Sequence, residues 1–278
     1  MPELPEVETV KNGLSRVALG SRVNFLKFYR NDLREQIPVS LINKVLKNET
    51  VTGIERRSKY ILIHTRKGCV LSHLGMTGAY LVRKTKKPEK DHTHFVIGIE
   101  NPNNESAYLH YVDPRRFGRL SATLESPFEH PYLAKLGPEP LELTPKKLST
   151  HFMLKAKRRK APIKNFIMDA HVVVGVGNIY ACESLFKSGI SPLREAGNLS
   201  ESEFLALSKE IIKTLKSAIK QGGTTIKDFQ NAEGGTGYFA VALKVYGRQG
   251  LPCTSCKKEI IQIKQSGRSS WYCPTCQK

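Results

Sequence analysis

The sequence predicts an α+β fold in several domains: an N-terminal antiparallel β-sandwich flanked by helices, then a helical domain, then a closing metal-pinned β-hairpin. Three observations carry this expectation. Strand-like runs joined by turns rich in Gly, Asn and Pro fill much of the first half of the chain. A proline-dense stretch then gives way to helical periodicity. Last, the chain closes on Cys253-x2-Cys256 and Cys273-x2-Cys276, with sixteen residues between the pairs.

The first element reads as a helix. Leu4, Val7, Val10, Leu14 and Val17 recur at three- and four-residue steps, and Pro5 suits a first-turn position. Residues 60–63 (Tyr-Ile-Leu-Ile) turn through Arg66-Lys67-Gly68 into Cys69-Val70-Leu71. Residues 95–97 turn through Asn101-Pro102-Asn103-Asn104 into 108–112. Hairpins of this kind stack as a sandwich, here residues 1–133. Between Pro127 and Pro145 five of the fifteen prolines fall within nineteen residues. Proline resists both helix and inner strand, so residues 134–144 read as a linker.

Residues 145–235 read as the helical domain. Ser200 and Glu203 form a capping box ahead of Phe204, Leu207, Ile211, Leu215 and Ile219, and Gly222-Gly223 ends that helix. Residues 236–278 form the hairpin. Each C-x2-C pair presents two sulfurs from a tight turn, and four thiolates make a structural tetrahedral zinc site with no open position. A disulfide framework is the alternative. It is disfavoured because the N-terminus does not resemble a signal peptide, which implies a reducing, cytoplasmic compartment. Cys69 and Cys182 sit among apolar neighbours and read as buried structural thiols.

Charge narrows the partner. The chain has 278 residues with 44 Lys+Arg against 25 Asp+Glu, a formal charge of +19. No apolar run is long enough to span a bilayer, so a polyanion of the nucleic-acid class is favoured over lipid. Lys257, Lys258, Lys264 and Arg268 lie between the cysteine pairs with Glu259 as the one acid, a grip suited to a phosphate backbone. Lys155, Lys157, Arg158, Arg159, Lys160 and Lys164 form an acid-free run that reads equally as a solvated face or a phosphate contact.

The chain starts Met1-Pro2-Glu3-Leu4-Pro5-Glu6-Val7-Glu8. Removal of the initiator methionine exposes Pro2 as a secondary amine, which can attack an aldehyde-level carbon and form an iminium. A free α-amino group titrates at about 7.7–8.0, and the positive end of a helix lowers that value. Glu3 stands beside the amine, able to donate or accept a proton, with Glu6 one turn on. Complementing the helix dipole is the alternative role for Glu3 and the expected role of Glu8.

Residues 1–9 closely resemble the start of bacterial formamidopyrimidine-DNA glycosylases (the Fpg or MutM family), and the resemblance runs the length of the chain. It implies that Pro2 is the nucleophile and Glu3 the general acid that helps open the deoxyribose ring. Arg57-Ser58-Lys59-Tyr60 resembles the family's R-x-K-Y strand, whose lysine binds phosphate near the lesion and belongs with the catalytic set; here it is Lys59. His73-Leu-Gly-Met76-Thr-Gly78 and Asp113-Pro-Arg115-Arg-Phe117-Gly118 are similar to the two loops that enter the duplex. Met76, Arg115 and Phe117 would then fill the void left by an extruded base. Gly175-Val-Gly177-Asn178-Ile-Tyr180 resembles the family's helix–two-turns–helix element, with Asn178 on phosphate, and the finger arginine falls on Arg268. His92 and Lys164 complete the implied DNA contacts.

Physical chemistry agrees with these assignments. A stacked base hides its glycosidic carbon, so chemistry there needs the nucleotide swung out. Unstacking costs roughly a few kcal/mol per step, which an apolar wedge and an arginine on the orphaned base would partly offset. Met76 and Phe117 would ordinarily be core residues. Their Gly, Pro and Arg neighbours point instead to loop tips.

Three departures from the family pattern stand out. Ile163-Lys164-Asn165-Phe166 replaces I-K-P-W. The lesion-capping loop reads Asn231-Ala-Glu-Gly-Gly-Thr-Gly237-Tyr-Phe239, and Ala240-Val-Ala follows it without the usual polar residues. These bear on lesion preference and not on the reaction class.

The resemblance therefore implies a monomeric, bifunctional glycosylase and AP lyase. It would act on duplex DNA carrying 8-oxoguanine, formamidopyrimidines or abasic sites, with one structural Zn²⁺ and no Mg²⁺ or redox cofactor. An endonuclease VIII-like enzyme for oxidised pyrimidines is the nearer rival, but it commonly begins P-E-G-P-E where this chain has Pro2-Glu-Leu-Pro-Glu6. A non-enzymatic zinc-ribbon protein fits the charge and the cysteines and leaves the Pro2-Glu3 pair without a purpose.

Overall fold

The computed structural model describes residues 2–88, 91–222 and 243–278. They form two compact units, one holding residues 2–135 and the other residues 136–221 and 243–278. The capping loop at 231–239, the stretch after it and Gly223 lie outside the described residues.

The first unit is a sandwich of two four-stranded antiparallel sheets with two helices packed into its core. Helix α1 (Leu4–Ala18) buries Leu4, Val7, Val10, Leu14 and Ala18, the stripe its periodicity predicts, while Val17 is only partly buried. Strand β1 (Arg22–Phe28) follows, then helix α2 (Val39–Leu46). Strands β2 (Gly53–Arg57), β3 (Tyr60–Thr65) and β4 (Gly68–His73) form a meander. Strands β5 (Ala79–Arg83), β6 (Thr93–Glu100), β7 (Ser106–Val112) and β8 (Arg119–Thr123) complete the set. One sheet runs β1-β6-β7-β5 and the other β2-β3-β4-β8.

Both predicted hairpins form, β3 with β4 and β6 with β7, and they belong to different sheets. Ile61 and Val70 from one sheet meet Phe95, Leu109 and Tyr111 from the other in a single core. Phe95 and Tyr111 stack at 4.7 Å, and Tyr80 lies edge-on to both. Each such side chain contributes about 1.5–3 kcal/mol on burial. Cys69 is buried in β4, which pushes its thiol up to about 12 and leaves it inert at neutral pH.

Among its described residues, the second unit holds four α-helices and the terminal hairpin. Helix α3 (Pro145–Ala156) starts on Thr144, whose hydroxyl accepts the Lys147 N–H. Helices α4 (Ile163–Met168), α5 (Asn178–Lys187) and α6 (Glu201–Lys220) follow. The capping box of α6 forms as the sequence predicts: Ser200 Oγ accepts the Glu203 N–H, and the Ser200 N–H donates to the Glu203 carboxylate at 2.8 Å. Phe204, Leu207, Ile211 and Leu215 are buried, with Phe152 bridging Phe166 and Phe204. Strands β9 (Ile261–Gln265) and β10 (Arg268–Tyr272) make the hairpin.

That hairpin does not stand apart from the helices. Cys182 and Phe186 of α5 share a small core with Val245, Cys253, Ile260 and Cys273. Glu183, 2% exposed, adds a polar anchor. Its Oε1 accepts the N–H groups of Lys244, Val245 and Tyr246 at 2.9–3.0 Å, and its Oε2 also accepts from Lys244. Among the described residues, no helix is long and apolar enough to cross a membrane.

Candidate functional site

In the first unit the chain enters the sandwich through its N-terminus. Glu3 is the N-cap of α1, and its N–H donates to the Glu6 carboxylate at 2.8 Å. Pro2 is buried just ahead of this cap, and Glu3 and Glu6 are 3% and 0% exposed. The nitrogen of Pro2 therefore sits at the positive end of a fifteen-residue helix with a carboxyl on the next residue. A helix N-terminus is the kind of place that disfavours a positive charge.

Glu8 is employed otherwise. Burial would raise its pKa, but Lys11 at 2.7 Å and Arg56 at 2.6 Å outweigh that and hold the carboxyl below its usual range. Arg56 also donates to the Ser58 carbonyl at 3.0 Å, so this pair ties α1 to the two-residue turn between β2 and β3. Ser58 has φ +58°, as such a turn demands, and the partly buried Lys59 completes it.

His73 is a residue that sequence reasoning passed over. Its ring packs on Tyr60 at 4.8 Å, and its Nδ1 accepts the Gly75 N–H, which places the proton on Nε2. Burial, then the positive charges of Lys59, Arg119 and Arg34, press its pKa down to about 3. A field that repels a proton from this imidazole attracts an anion to the same place. The spacing of Arg34, Lys59 and Arg119 in sequence gives no sign of it.

The two glycine-flanked loops meet. A Cβ on Gly75 (φ +63°) would lie 2.3 Å from the Phe117 carbonyl carbon and 2.4 Å from the Gly118 nitrogen, so only glycine fits. Phe117 is 41% exposed, and the Arg115 guanidinium lies over its ring at 4.8 Å. Met76 is partly buried at the tip of its turn. Exposed His92, at φ +70°, accepts the Asp113 N–H through its carbonyl at 3.1 Å. The structure thus gathers Met76, Arg115 and Phe117, with the His92 backbone tied to the same segment.

In the second unit Asn178 opens α5 and donates from Nδ2 to the Ser269 carbonyl at 3.0 Å. Lys164 departs from its expected place on a DNA backbone. It is 1% exposed, and its ammonium donates to that same carbonyl at 3.0 Å and to Ser270 Oγ at 2.5 Å. The acid-free run hid this, because the helical turn of α4 points its lysine inward while residues 157–160 stay exposed. Ser270 Oγ donates onward to Gln265, which donates to the Pro192 carbonyl, and Asn165 holds the Ser266 hydroxyl at 2.7 Å. This network fixes the Ser266-Gly267 turn (φ +46° and +78°), next to which Arg268 is exposed.

Cys253, Cys256, Cys273 and Cys276 bring their sulfurs within 4.8 Å of one another, with 3.9 Å from Cys253 to Cys276 and 3.4 Å from Cys256 to Cys273. A tetrahedron of Zn–S bonds about 2.3 Å long has edges of about 3.8 Å, so the set fits one structural zinc. The Ser255 N–H donates to the Cys253 sulfur at 3.4 Å, which suits a thiolate.

Taken singly, the units are a β-sandwich with a buried Pro2-Glu3 pair at the start of its first helix, and a helical domain that carries a four-cysteine hairpin. Three family models match the chain: the formamidopyrimidine-DNA glycosylase N-terminal domain over residues 1–120, the H2TH domain of the same enzymes over 136–230, and the zinc finger found in FPG and IleRS over 250–278. A formamidopyrimidine-DNA glycosylase of Legionella pneumophila is 44% identical over 278 residues, covering 100% of this chain and 98% of the relative. Two solved structures superpose with TM-scores of 0.87 over the full length of both chains. They are Lactococcus lactis Fpg with abasic-site DNA at 32% identity, and MutM with DNA containing carbocyclic 8-oxo-G at 33%. The chain belongs to the formamidopyrimidine-DNA glycosylase family.

Proposed function

We propose that this protein is a bifunctional DNA glycosylase and AP lyase that removes oxidised purines, 8-oxoguanine and formamidopyrimidines, from duplex DNA. The observation that carries the reading is Pro2 beside Glu3 at the positive end of α1, in a chain 44% identical to a formamidopyrimidine-DNA glycosylase of Legionella pneumophila.

The neutral Pro2 nitrogen attacks C1′ of the damaged nucleotide as the glycosidic bond breaks and the base leaves with its electron pair. The proton lost from the Pro2 nitrogen neutralises the departing base, and Glu3 gives a proton to the ring oxygen as the C1′–O4′ bond opens, leaving an iminium between Pro2 and C1′. The iminium acidifies C2′. Loss of that proton expels the 3′ phosphate, and a second elimination expels the 5′ phosphate. Neither break needs an activated water or a divalent cation.

Lys59, in the positive field around His73, holds a backbone phosphate beside the reacting sugar. Met76, Arg115 and Phe117 occupy the space of the extruded nucleotide, with His92 adding a contact in the same unit. Asn178 and Arg268 bind phosphates from the other, and Lys164 sets the hairpin that carries Arg268. Residues 1–133 would carry the chemistry, 134–144 the link, 145–235 the helical DNA grip and 236–278 the finger, with zinc keeping the finger folded. The bacterial cytoplasm is the compartment this reading assigns.

Glu3→Gln tests it on matched duplexes. Excision of 8-oxoguanine should fall by about 10²–10⁴-fold, while cleavage at a preformed abasic site, already partly an open aldehyde, persists. A protein that excises thymine glycol and ignores 8-oxoguanine would instead be a pyrimidine enzyme.

A further inference from the structure

We propose that Asp113 is a positioning residue that locks the two base-void loops into one rigid wedge, with Thr77 as its arm into the Met76 loop. The inference rests on the glycosylase reading above. It adds a role to two residues that touch no substrate.

Asp113 is 0% exposed at the end of β7. Every polar group it has is bonded to a loop or strand end that leads to a proposed DNA contact. Oδ1 accepts the Thr77 hydroxyl at 2.5 Å, beside Met76. Oδ2 accepts the Gly118 N–H at 2.8 Å, beside Phe117. The Asp113 N–H donates to the His92 carbonyl at 3.1 Å. Its carbonyl accepts the Arg116 N–H at 3.1 Å and His94 Nε2 at 2.7 Å. Thr77 Oγ1, having donated to the carboxyl, accepts the Arg115 N–H at 3.3 Å.

Its two carboxyl oxygens are taken by a hydroxyl and a backbone N–H, while the nearby Arg116 and Arg119 pair with Asp32 and Glu35. A buried acid kept for stability alone would be expected to tie core strands together or to meet a positive partner. This one joins the tips that carry Met76, Arg115 and Phe117. The Gly75–Phe117 approach leaves the loops touching, and the Asp113–Thr77 bond fixes their register. A wedge must keep its shape against a stack that is trying to close, so its stiffness enters the rate of extrusion and not the later eliminations.

Thr77→Val tests this, because valine keeps the shape and removes the hydroxyl. Single-turnover excision of 8-oxoguanine from duplex DNA should fall by about 10- to 100-fold, as loss of one bond to a buried acceptor implies. Strand cleavage at a preformed abasic site should stay close to that of the unaltered protein, and the melting temperature should fall by only a few degrees, as one unpaired buried acceptor implies for a protein of this size. Thr77→Ser, which restores the hydroxyl, should recover excision, and Asp113→Asn should repeat the Thr77→Val pattern. In a Met76→Ala background, where one face of the wedge is gone, Thr77→Val should add less than about twofold. Equal losses in excision and abasic cleavage, failure of Thr77→Ser to rescue, or full additivity with Met76→Ala would overturn the positioning role. Absence of 8-oxoguanine excision by the unaltered protein would overturn the glycosylase reading itself, and the inference with it.

Discussion

Replacing Glu183 by alanine removes the acceptor for three consecutive backbone N–H groups, those of Lys244, Val245 and Tyr246. Each buried N–H left without a partner costs about 1–3 kcal/mol. Val245 is fully buried, whereas its neighbours are only partly so and can turn to water. The expected loss is therefore about 3–5 kcal/mol, short of three full penalties. Glu183→Gln is the graded control. Its amide oxygen can take the place of Oε1 and keep three bonds, while its NH₂ faces the Lys244 N–H in place of Oε2. That variant should lose about 1–3 kcal/mol, chiefly the charge assistance. Amide hydrogen exchange followed by mass spectrometry reads the effect locally. Residues 244–246 should exchange about 10²–10³-fold faster in Glu183→Ala and far less so in Glu183→Gln, while the sandwich amides keep their protection. Equal exchange in Glu183→Ala and the unaltered protein would show that the apolar contacts of Val245 alone hold this segment.

The finger gives two further expectations. Removing zinc, or Cys253→Ser, should shift the emission of Trp271, the chain's one tryptophan and a ring partner of Tyr246 at 4.4 Å; the end of α5 should loosen with it, because Cys182 and Phe186 share the finger's core. Unchanged emission after complete zinc removal would refute metal-dependent folding. Arg268→Ala should weaken binding to damaged duplex with zinc still bound and lower the salt slope by about one phosphate contact, as read by titration at several salt concentrations. His73 sets an acid dependence. Its folded pKa of about 3 lies below the ordinary 6.5, so the unfolded chain takes the proton first. The associated stability is complete above pH 6.5 and is lost as pH falls toward 3; urea midpoints should drop over that window, less steeply in His73→Gln.

What the sequence made legible was local. The α1 stripe, the β3–β4 and β6–β7 hairpins, the α6 capping box and the cysteine spacing each depend on neighbours a few residues apart, and each appears in the fold. Phe117 could be read as exposed because its Pro and Arg neighbours announce a loop. The misses share another cause. Asp113, His73 and Glu183 acquire their work from partners as far as 36 to 63 residues away, and nothing near them in sequence marks the meeting. Lys164 is the clearest case. Charge composition places it on the surface with its basic neighbours, whereas a carbonyl and a hydroxyl 105 and 106 residues on bury its ammonium.

The central claim is that the Pro2 nitrogen bonds to the sugar, and sodium borohydride tests it most directly. Reduction during reaction with an 8-oxoguanine duplex should join protein and DNA covalently, and peptide mapping should place the adduct on residue 2. The same protein with Met1 retained carries an acylated Pro2 nitrogen with no available lone pair. It should bind the duplex and yield no adduct. An adduct on a lysine, or one formed equally well with Met1 retained, would contradict the account.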